Sequence, residues 1–310
     1  MLIQKIGRCF NDRGKKMKLY IIGNGFDKAH ELECSYWAFG DFIQEHYPQY
    51  YSCLMAAFNN DSGIWGDFET ALPRCGSELE NTGLNMMEER LGEIDYTPTD
   101  DEGIRFWLKE QYVFFRKLPV ILREWVEYMC QKNVSPTYRP GVIDKDSLFL
   151  NFNYTRTLEK YYGIASDQIC HIHGDVGNPE EILIMGHGSQ KSIDYALKSL
   201  KSVEQDGATV AIAIYQCVVD CLELLFKDTG NIMKSHSEFF ARLSDVDEVI
   251  VIGSSLSKAD EPYFDMIERT TSAHWTFYYY NDDSAFKKFV ESHRIAADRF
   301  SMVSDKEIKL

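Results

Sequence analysis

The sequence predicts an α/β fold, a Rossmann-like and mostly parallel sheet with a large helical insertion after the first strand. Two observations support this prediction. Short apolar runs alternate with helical patterns over the second half of the chain, as they do when helices connect parallel strands. Before them, residues of about 35–145 show helical periodicity without a convincing strand. We expect residues 17–310 to form a single domain and residues 1–16 to form a disordered tail.

The bulk composition limits the classes of ligand and location. The 310 residues carry 33 Lys and Arg against 48 Asp and Glu, a formal net charge of −15. Such a surface repels nucleic acid, so we expect no nucleic-acid partner, and local donors must hold any anionic ligand. None of the eight cysteines forms a Cys-x-x-Cys pair, which argues against structural zinc. Without a secretory signal or a membrane-spanning run, we expect a cytoplasmic protein with no membrane contact.

The first predicted element is a buried strand at residues 17–22 that leads into a glycine-rich turn and a helix. Glycines lack a Cβ, so N–H groups in such a turn can approach a ligand closely, and the helix N-terminus attracts anions. A phosphate suits this place, although a ligand-free turn explains the pattern as well. Lys28 replaces the third glycine of a dinucleotide fingerprint, which disfavours an ordinary dehydrogenase site. The expected contacts are Gly23, Asn24, Gly25, Phe26 and Asp27.

Amphipathic helices are predicted throughout the insertion that follows. Apolar side chains recur there at steps of three and four residues, which is typical of helices packed on one another. A long apolar stripe from Ile104 to Met129 predicts one helix with a kink at Pro119. The acidic segment 95–103 is predicted to be a loop.

Five further strands are predicted at residues 148–152, 168–174, 182–185, 249–252 and 275–280. Helices are predicted at residues 157–162, over most of 190–245, at 261–269 and after Asp283. Small or polar residues follow almost every strand at its carboxyl end, where an open parallel sheet places its ligand crevice. We therefore expect these residues to converge on one pocket. They are Gly23-Asn24-Gly25, Asn153, His173-Gly174, Gly186-His187-Gly188 and Gly253-Ser254-Ser255.

Three histidines near these strand ends have alternative roles. His173 precedes a glycine at a strand end, and this context favours a function. His171 lies two residues earlier, so on a strand it would project from the same face, and we interpret it as an ordinary buried histidine. His187 fits either a loop or the pocket. A metal site built from all three histidines would lack a carboxylate at a spacing typical of metal ligands, so no metal is predicted.

Asn153 and the nearby carboxylates also have structural alternatives. Asp27 either supports the first turn of a helix or pairs with Glu69 for general acid–base chemistry. Asp260 is predicted to lie at the start of a helix, from which it could reach a ribose. Asn153 suits a helix N-cap as well as a pocket, and its place among the other strand ends favours the pocket.

Five motifs occur in order along the chain: Gly23-Asn24-Gly25-Phe26-Asp27, Trp65-x-Asp67-Phe68-Glu69, Phe152-Asn153-Tyr154-Thr155-x-Thr157-Leu158-Glu159, Ile172-His173-Gly174 and Gly186-His187-Gly188. From residue 17 onward the chain resembles the bacteriophage abortive infection AbiH family. More distantly, it resembles sirtuin-like NAD-binding domains, in which an Asn follows one strand, a His-Gly ends the next, and a Gly-Thr/Ser-Ser-Leu turn closes the pocket. The matching places here are Asn153, His173-Gly174 and Gly253-Ser254-Ser255-Leu256.

These resemblances imply a sirtuin-like domain in an anti-phage protein that hydrolyses NAD at the nicotinamide N-glycosidic bond. Asn153 would order the ribose and the attacking water, and His173 would act as the general base. The glycine turn at residues 23–25 and the turn at residues 253–255 would hold phosphates and ribose, with NAD as substrate or ligand.

Three departures from the sirtuin pattern keep other functions open. The four-cysteine zinc module is missing, Asp27 would lie beside the pyrophosphate, and Glu69 stands where the early-loop arginine is expected. A non-catalytic nucleotide-binding sensor of a defence system is the main alternative, and a protein that docks through its helical insertion is a third. NAD consumption would need restraint, so we expect a homo-oligomer or a phage-triggered partner.

Overall fold

A computed structural model describes residues 16–91, 101–131 and 143–304 of the chain. The tail predicted at residues 1–16 lies outside the described residues except for Lys16. Most of the loop predicted at residues 95–103 also lies outside them.

All six strands of the described sheet are parallel, in the order β3-β2-β1-β4-β5-β6. This order, 3-2-1-4-5-6, is that of a doubly wound Rossmann-type sheet, so the predicted fold class is confirmed. The strands are β1 Lys18–Ile22, β2 Leu148–Asn151, β3 Ile169–His171, β4 Glu248–Ile252, β5 His274–Tyr279 and β6 Phe300–Ser304.

The central strand β1 fixes the geometry of the site. Its last residue, Ile22, pairs with Asn151 of β2 on one side and with Ile252 of β4 on the other. Residues 19–22 are buried, as expected for a strand covered on both faces. Because the three strands end at one level, the residues that follow them meet at the same edge of the sheet.

Helices account for most of the remaining described residues. They are α1 Asn24–Ala29, α2 Tyr36–His46, α3 Pro48–Ala56, α4 Phe68–Ala71, α5 Arg74–Arg90, α6 Glu102–Arg116, α7 Leu118–Gln131, α8 Gln190–Asp206, α9 Thr209–Leu224, α10 Thr229–Ser235, α11 Ser237–Ala241, α12 Glu261–Thr270 and α13 Ser284–Ser292. Short helical turns lie at Ser62–Gly66 and Leu158–Tyr162. None of the helices in the described ranges combines the length and the apolar character that a membrane crossing requires.

Helices α2–α9 share one apolar core, and we call them the helical layer. Its buried aromatic residues include Phe39, Phe68, Phe115 and Trp125. Two further clusters contain the side chains of alternate residues of β1, so they cover the two faces of the sheet. The predicted insertion between the first two strands is therefore helical in its described part.

The apolar stripe from Ile104 to Met129 is divided between two helices. Helix α6 ends at Arg116 and α7 begins at Leu118, where we had predicted a single kinked helix. Pro119 lies in the first turn of α7. A proline is tolerated there because its missing N–H has no partner within the helix.

Two strand predictions differ from the structure. Residues 182–185 form no strand of the sheet; instead, the N–H of Ile184 donates to the carbonyl of His173 at 2.9 Å in an extended segment beyond β3. Ile182 is 76% exposed, whereas Leu183 and Met185 are buried against the helical layer, so the apolar run is only partly buried. Conversely, the sequence prediction missed β6, whose mixed residues lie at the edge of the sheet.

Candidate functional site

A cavity of about 670 Å³ lies at the carboxyl ends of the central strands. The turns after β1, β2 and β4 supply part of its lining, and the segment after β3 contributes His173. Trp65 and Trp125 line it from the helical layer. The cavity has the size of typical ligand pockets and the position at which doubly wound sheets bind ligands.

Most of the residues predicted to meet do line this cavity. They are Gly23, Asn24, Gly25, Asp27, Asn153, His173, Gly253, Ser254, Ser255 and Asp260, and Glu69, whose role the sequence leaves open, lines it too. Phe26 does not line it; its ring is fully buried against His30 and Tyr162. Gly174 and the segment Gly186-His187-Gly188 also fall outside the lining, so four of the five predicted strand ends contribute side chains or backbone to the cavity.

The glycines of the first turn allow two turns to pack on each other. The N–H of Gly23 donates to the carbonyl of Ile252 at 3.0 Å, and that of Gly25 donates to Gly253 at 2.7 Å. Gly253 has φ +67°, and a Cβ there would lie 2.2 Å from the nitrogen of Phe26. The two N–H groups that we expected to face an anion are therefore bonded to protein carbonyls.

Asn153 joins the end of β2 to the end of β1. Its side-chain Nδ2 donates to the carbonyl of Gly23 at 3.0 Å, and its backbone N–H donates to Oδ1 of Asn151 at 3.1 Å. The side chain thus bonds the neighbouring strand end, whereas the helix-cap alternative would direct it to its own helix. It is 8% exposed and lines the cavity.

Asp27 is held by two threonine hydroxyls. Thr155 Oγ1 and Thr157 Oγ1 donate to its two carboxylate oxygens at 2.5 and 2.7 Å. Burial raises the pKa of Asp27, while the threonines act in the opposite direction. The carboxylate ties α1 to the segment after β2. Because Glu69 has different partners, the structure does not support an Asp27–Glu69 acid–base pair.

Four buried charged or titratable side chains form a cluster beside the cavity: Glu69, Lys227, Asp260 and His173. Lys227 Nζ lies 2.7 Å from Glu69 Oε1 and 3.1 Å from Asp260 Oδ1. His173 Nε2 is 3.4 Å from the same Asp260 oxygen, within ion-pair distance but without an acceptable hydrogen-bond geometry. Asp260, predicted to lie at a helix start, immediately precedes α12 and reaches this cluster.

Sequence reasoning missed Lys227. Its side chain is fully buried, although lysine is almost never so unless it is paired. Burial alone would lower the pKa of Lys227, but the carboxylates of Glu69 and Asp260 outweigh burial and raise it. Burial opposes the ionisation of Asp260, yet Lys227, together with His173, lowers its pKa. The available signal was a lone lysine that closes the apolar run Leu224-Leu225-Phe226.

The other two histidines have structural roles. His171 Nε2 contacts Glu159 at 3.2 Å. Burial lowers the pKa of His171, but Glu159 outweighs it, and the net shift is upward. His171 and His173 do not share a face as predicted, because β3 ends at His171 and the chain turns back, with the N–H of Gly174 donating to the carbonyl of His171 at 3.0 Å.

His187 is buried away from the cavity. Its Nε2 bonds the carbonyl of Leu222 at 3.0 Å, and its Nδ1 accepts from the N–H of Ser189 at 3.2 Å. These contacts require a neutral ring, and burial lowers the pKa of His187 accordingly. Among the described residues, no group of histidine, cysteine and carboxylate side chains is arranged to hold a metal ion.

Aromatic rings and carboxylates dominate the remaining walls of the cavity. Tyr36, Trp37, Trp65, Trp125, Tyr154, Tyr278, Tyr279 and Tyr280 supply rings, and Asp67 and Asp282 add carboxylates. Nε1 of Trp65 is buried without a hydrogen-bond partner. Lysine is represented in the lining by Lys28. Such walls suit a planar ring, particularly one that carries a positive charge.

Comparison with protein families matches residues 19–279 to the family described as bacteriophage abortive infection AbiH. No curated protein and no solved structure matches the chain. The matched range contains β1 from Leu19 onward, the whole of β2 to β5 and the complete Glu69–Lys227–Asp260–His173 cluster. Because it spans most of the chain, the protein belongs to the bacteriophage abortive infection AbiH family.

Proposed function

We propose that this abortive infection protein hydrolyses NAD at the nicotinamide N-glycosidic bond. One observation carries the proposal: Asn153 and His173, from two different strand ends, line the same cavity as the glycine turn of β1. These are the residues to which the sirtuin-like resemblance assigns the orienting and base roles. The position of the cavity at the carboxyl edge of a 3-2-1-4-5-6 sheet supports a nucleotide ligand.

The chemistry requires a base and a place for positive charge. The bond between ribose C1′ and the ring nitrogen breaks with its electron pair on nitrogen, so nicotinamide leaves uncharged. Water attacks C1′ and gives ADP-ribose, and its proton passes to the imidazole of His173. Asp260, 3.4 Å from Nε2, would stabilise the resulting imidazolium.

The walls of the cavity favour the oxidised nicotinamide ring. That ring is a cation, and rings such as Trp65 and Trp125 together with Glu69 and Asp260 are suitable neighbours for it. The positive charge that develops at C1′ during cleavage benefits from the same carboxylates.

The direct experiment measures nicotinamide release from NAD by the purified protein. We expect His173→Ala and Asn153→Ala to lower kcat/KM by about 10²–10⁴-fold, the range for the loss of a general base or a positioning group. His46→Ala, an exposed histidine at the end of α2, is the matched control and should retain activity. Each protein is assayed alone and with an extract of phage-infected cells. If the wild-type protein releases no nicotinamide in either assay, the proposal is wrong.

A non-catalytic nucleotide sensor is the second candidate. The N–H groups of Gly23 and Gly25 already donate to protein carbonyls, and the walls of the cavity are acidic. Few donors therefore remain for a phosphate, which favours binding without the catalytic arrangement. Calorimetric titration with NAD and with ADP-ribose separates the two functions. Tight binding without turnover would support the sensor, whereas turnover that requires His173 would exclude it.

A further inference from the structure

Lys227 is fixed in place by its backbone as well as by its ion pairs. The N–H of His187 donates to the carbonyl of Leu225, and the N–H of Lys227 donates to the carbonyl of His187, both at 2.9 Å. A Cβ on Gly186 would lie 2.4 Å from the oxygen of Leu225, so the two segments approach too closely for any other residue. The glycine-flanked His187 segment therefore holds Lys227 although it lies outside the cavity.

Glu69 is fixed by the same glycine-flanked segment. Its Oε1 accepts a hydrogen bond from the N–H of Gly186 at 2.9 Å and also faces Lys227 Nζ at 2.7 Å. The ammonium of Lys227 thus lies between two carboxylates that belong to distant segments of the chain. Both contacts of the ammonium are ion pairs and not apolar contacts. Apolar packing alone therefore does not explain why a lysine is buried here.

We propose that Lys227 is a positioning residue, which holds the carboxylates of Glu69 and Asp260 in place and offsets their charge, so that the imidazole of His173 stays neutral and free to accept the proton of the attacking water. The inference rests on the hydrolysis proposed above and identifies a residue that acts through another. Lys227 itself is not assigned a contact with substrate.

The charges of the cluster define how this role can be tested. One ammonium against two carboxylates leaves one negative charge while His173 is neutral. The ammonium of Lys227 thus offsets one of the two carboxylates of the cluster. With His173 neutral, the net charge of the cluster would be −2 without the Lys227 ammonium and zero without the Glu69 carboxylate.

Other groups near His173 come from different elements. Tyr263 of α12 packs on the ring with centroids 5.9 Å apart, and Phe152 after β2 packs at 5.4 Å. His236, between α10 and α11, is half-buried; burial lowers its pKa, the charge of Glu181 opposes this, and the charge of His173 lowers it further. These three groups are unchanged in the variants used below, so differences between the variants report on the Lys227 cluster.

The test compares Lys227→Met with Glu69→Gln, because the two substitutions change the net charge of the cluster in opposite directions. In Lys227→Met the acidic limb of the pH profile of kcat/KM for NAD should move up by about 1 pH unit, and in Glu69→Gln it should move down. A merely structural role would not produce opposite shifts. Lys234→Met, an exposed lysine of α10, should leave the profile unchanged.

A second measurement does not depend on turnover. NMR of ¹⁵N-labelled histidine side chains, with the His173 signals assigned by their loss in His173→Gln, follows protonation of that ring directly. The same opposite shifts are expected. Equal or absent shifts in variants that remain folded by thermal denaturation overturn the inference, and Glu69→Gln decides it if Lys227→Met does not fold. If NAD is not hydrolysed, the proposed function fails, while the NMR titration still tests Lys227.

Discussion

At the scale of single residues, His187 shows how a glycine-rich motif can mislead. The motif Gly186-His187-Gly188 suggested a turn at the pocket, and the sequence left the role of its histidine open. In the structure the ring bridges the end of α9 and the start of α8, and Gly186 is required by the close approach of Leu225. The histidine is therefore a buried neutral group whose protonation opposes folding.

This role predicts how stability depends on pH. The pKa of His187 lies below its ordinary value of 6.5 in the folded protein, so the unfolded chain binds the proton first as the pH falls. The free energy of unfolding should then decrease below about pH 6.5. His187→Gln removes this contribution, although the lost hydrogen bond costs about 1 kcal/mol at every pH.

Urea denaturation at pH 7.5 and pH 5.5 provides the measurement. The difference in unfolding free energy between the two pH values should be smaller in His187→Gln than in the wild-type protein. Other histidines contribute equally to both proteins and cancel in the comparison. Identical differences would mean that His187 is not the neutral buried group described above.

The residues of the site differ in how far the sequence could predict them. Asn153 and His173 were predictable because the carboxyl ends of parallel strands share one edge, so polar residues after strands meet. Lys227 was not, because its burial depends on where the helical layer places Glu69, and no local pattern encodes that distance. The sequence placed Asp27 at the site but did not reveal its hydrogen bonds, because Thr155 and Thr157 follow β2 whereas Asp27 follows β1.

At the scale of elements, the contact between the turns after β1 and β4 is the most constrained feature. Gly253→Ala would place a Cβ 2.2 Å from the backbone nitrogen of Phe26 in a left-handed conformation. We expect a loss of about 2–5 kcal/mol, because the strain of the backbone and the steric overlap add. The measurement is the unfolding free energy from urea denaturation.

Gly207, at the end of α8, offers a matched control. It has φ +69°, almost the same as Gly253, but a Cβ there would meet nothing within 4 Å. Gly207→Ala should therefore lose only the conformational term of about 1–2 kcal/mol. Similar losses in the two variants would show that the turns are not in the close contact described.

The elements that the sequence predicted wrongly lie outside the buried centre of the sheet. Four apolar residues at 182–185 satisfy a strand pattern, but an irregular segment that bonds His173 beyond the end of β3 has the same pattern. Strand β6 lies at the edge of the sheet, where one side lacks a neighbour and the apolar requirement is weaker. The buried central strands were predictable because both faces demand apolar side chains.

At the scale of the whole molecule, the net charge of −15 bears on assembly. We expect restraint of the proposed activity through self-association or a partner that appears on infection. Like-charged copies repel at low ionic strength, so association between copies should strengthen as salt is added. Size-exclusion chromatography with and without NAD, at low and physiological salt, measures it. A monomer that is fully active in every condition would contradict this expectation.

The ion pair between Glu69 and Lys227 also has a mechanical consequence. Glu69 belongs to α4 of the helical layer, whereas Asp260, the other partner of Lys227, follows β4 and precedes α12. Pulling α4 away would strip a buried ammonium of one counter-ion, which costs several times the thermal energy. The two ion pairs of Lys227 thus connect the two sides of the cavity, and we expect a displacement of α4 to move the carboxylate beside the imidazole as well.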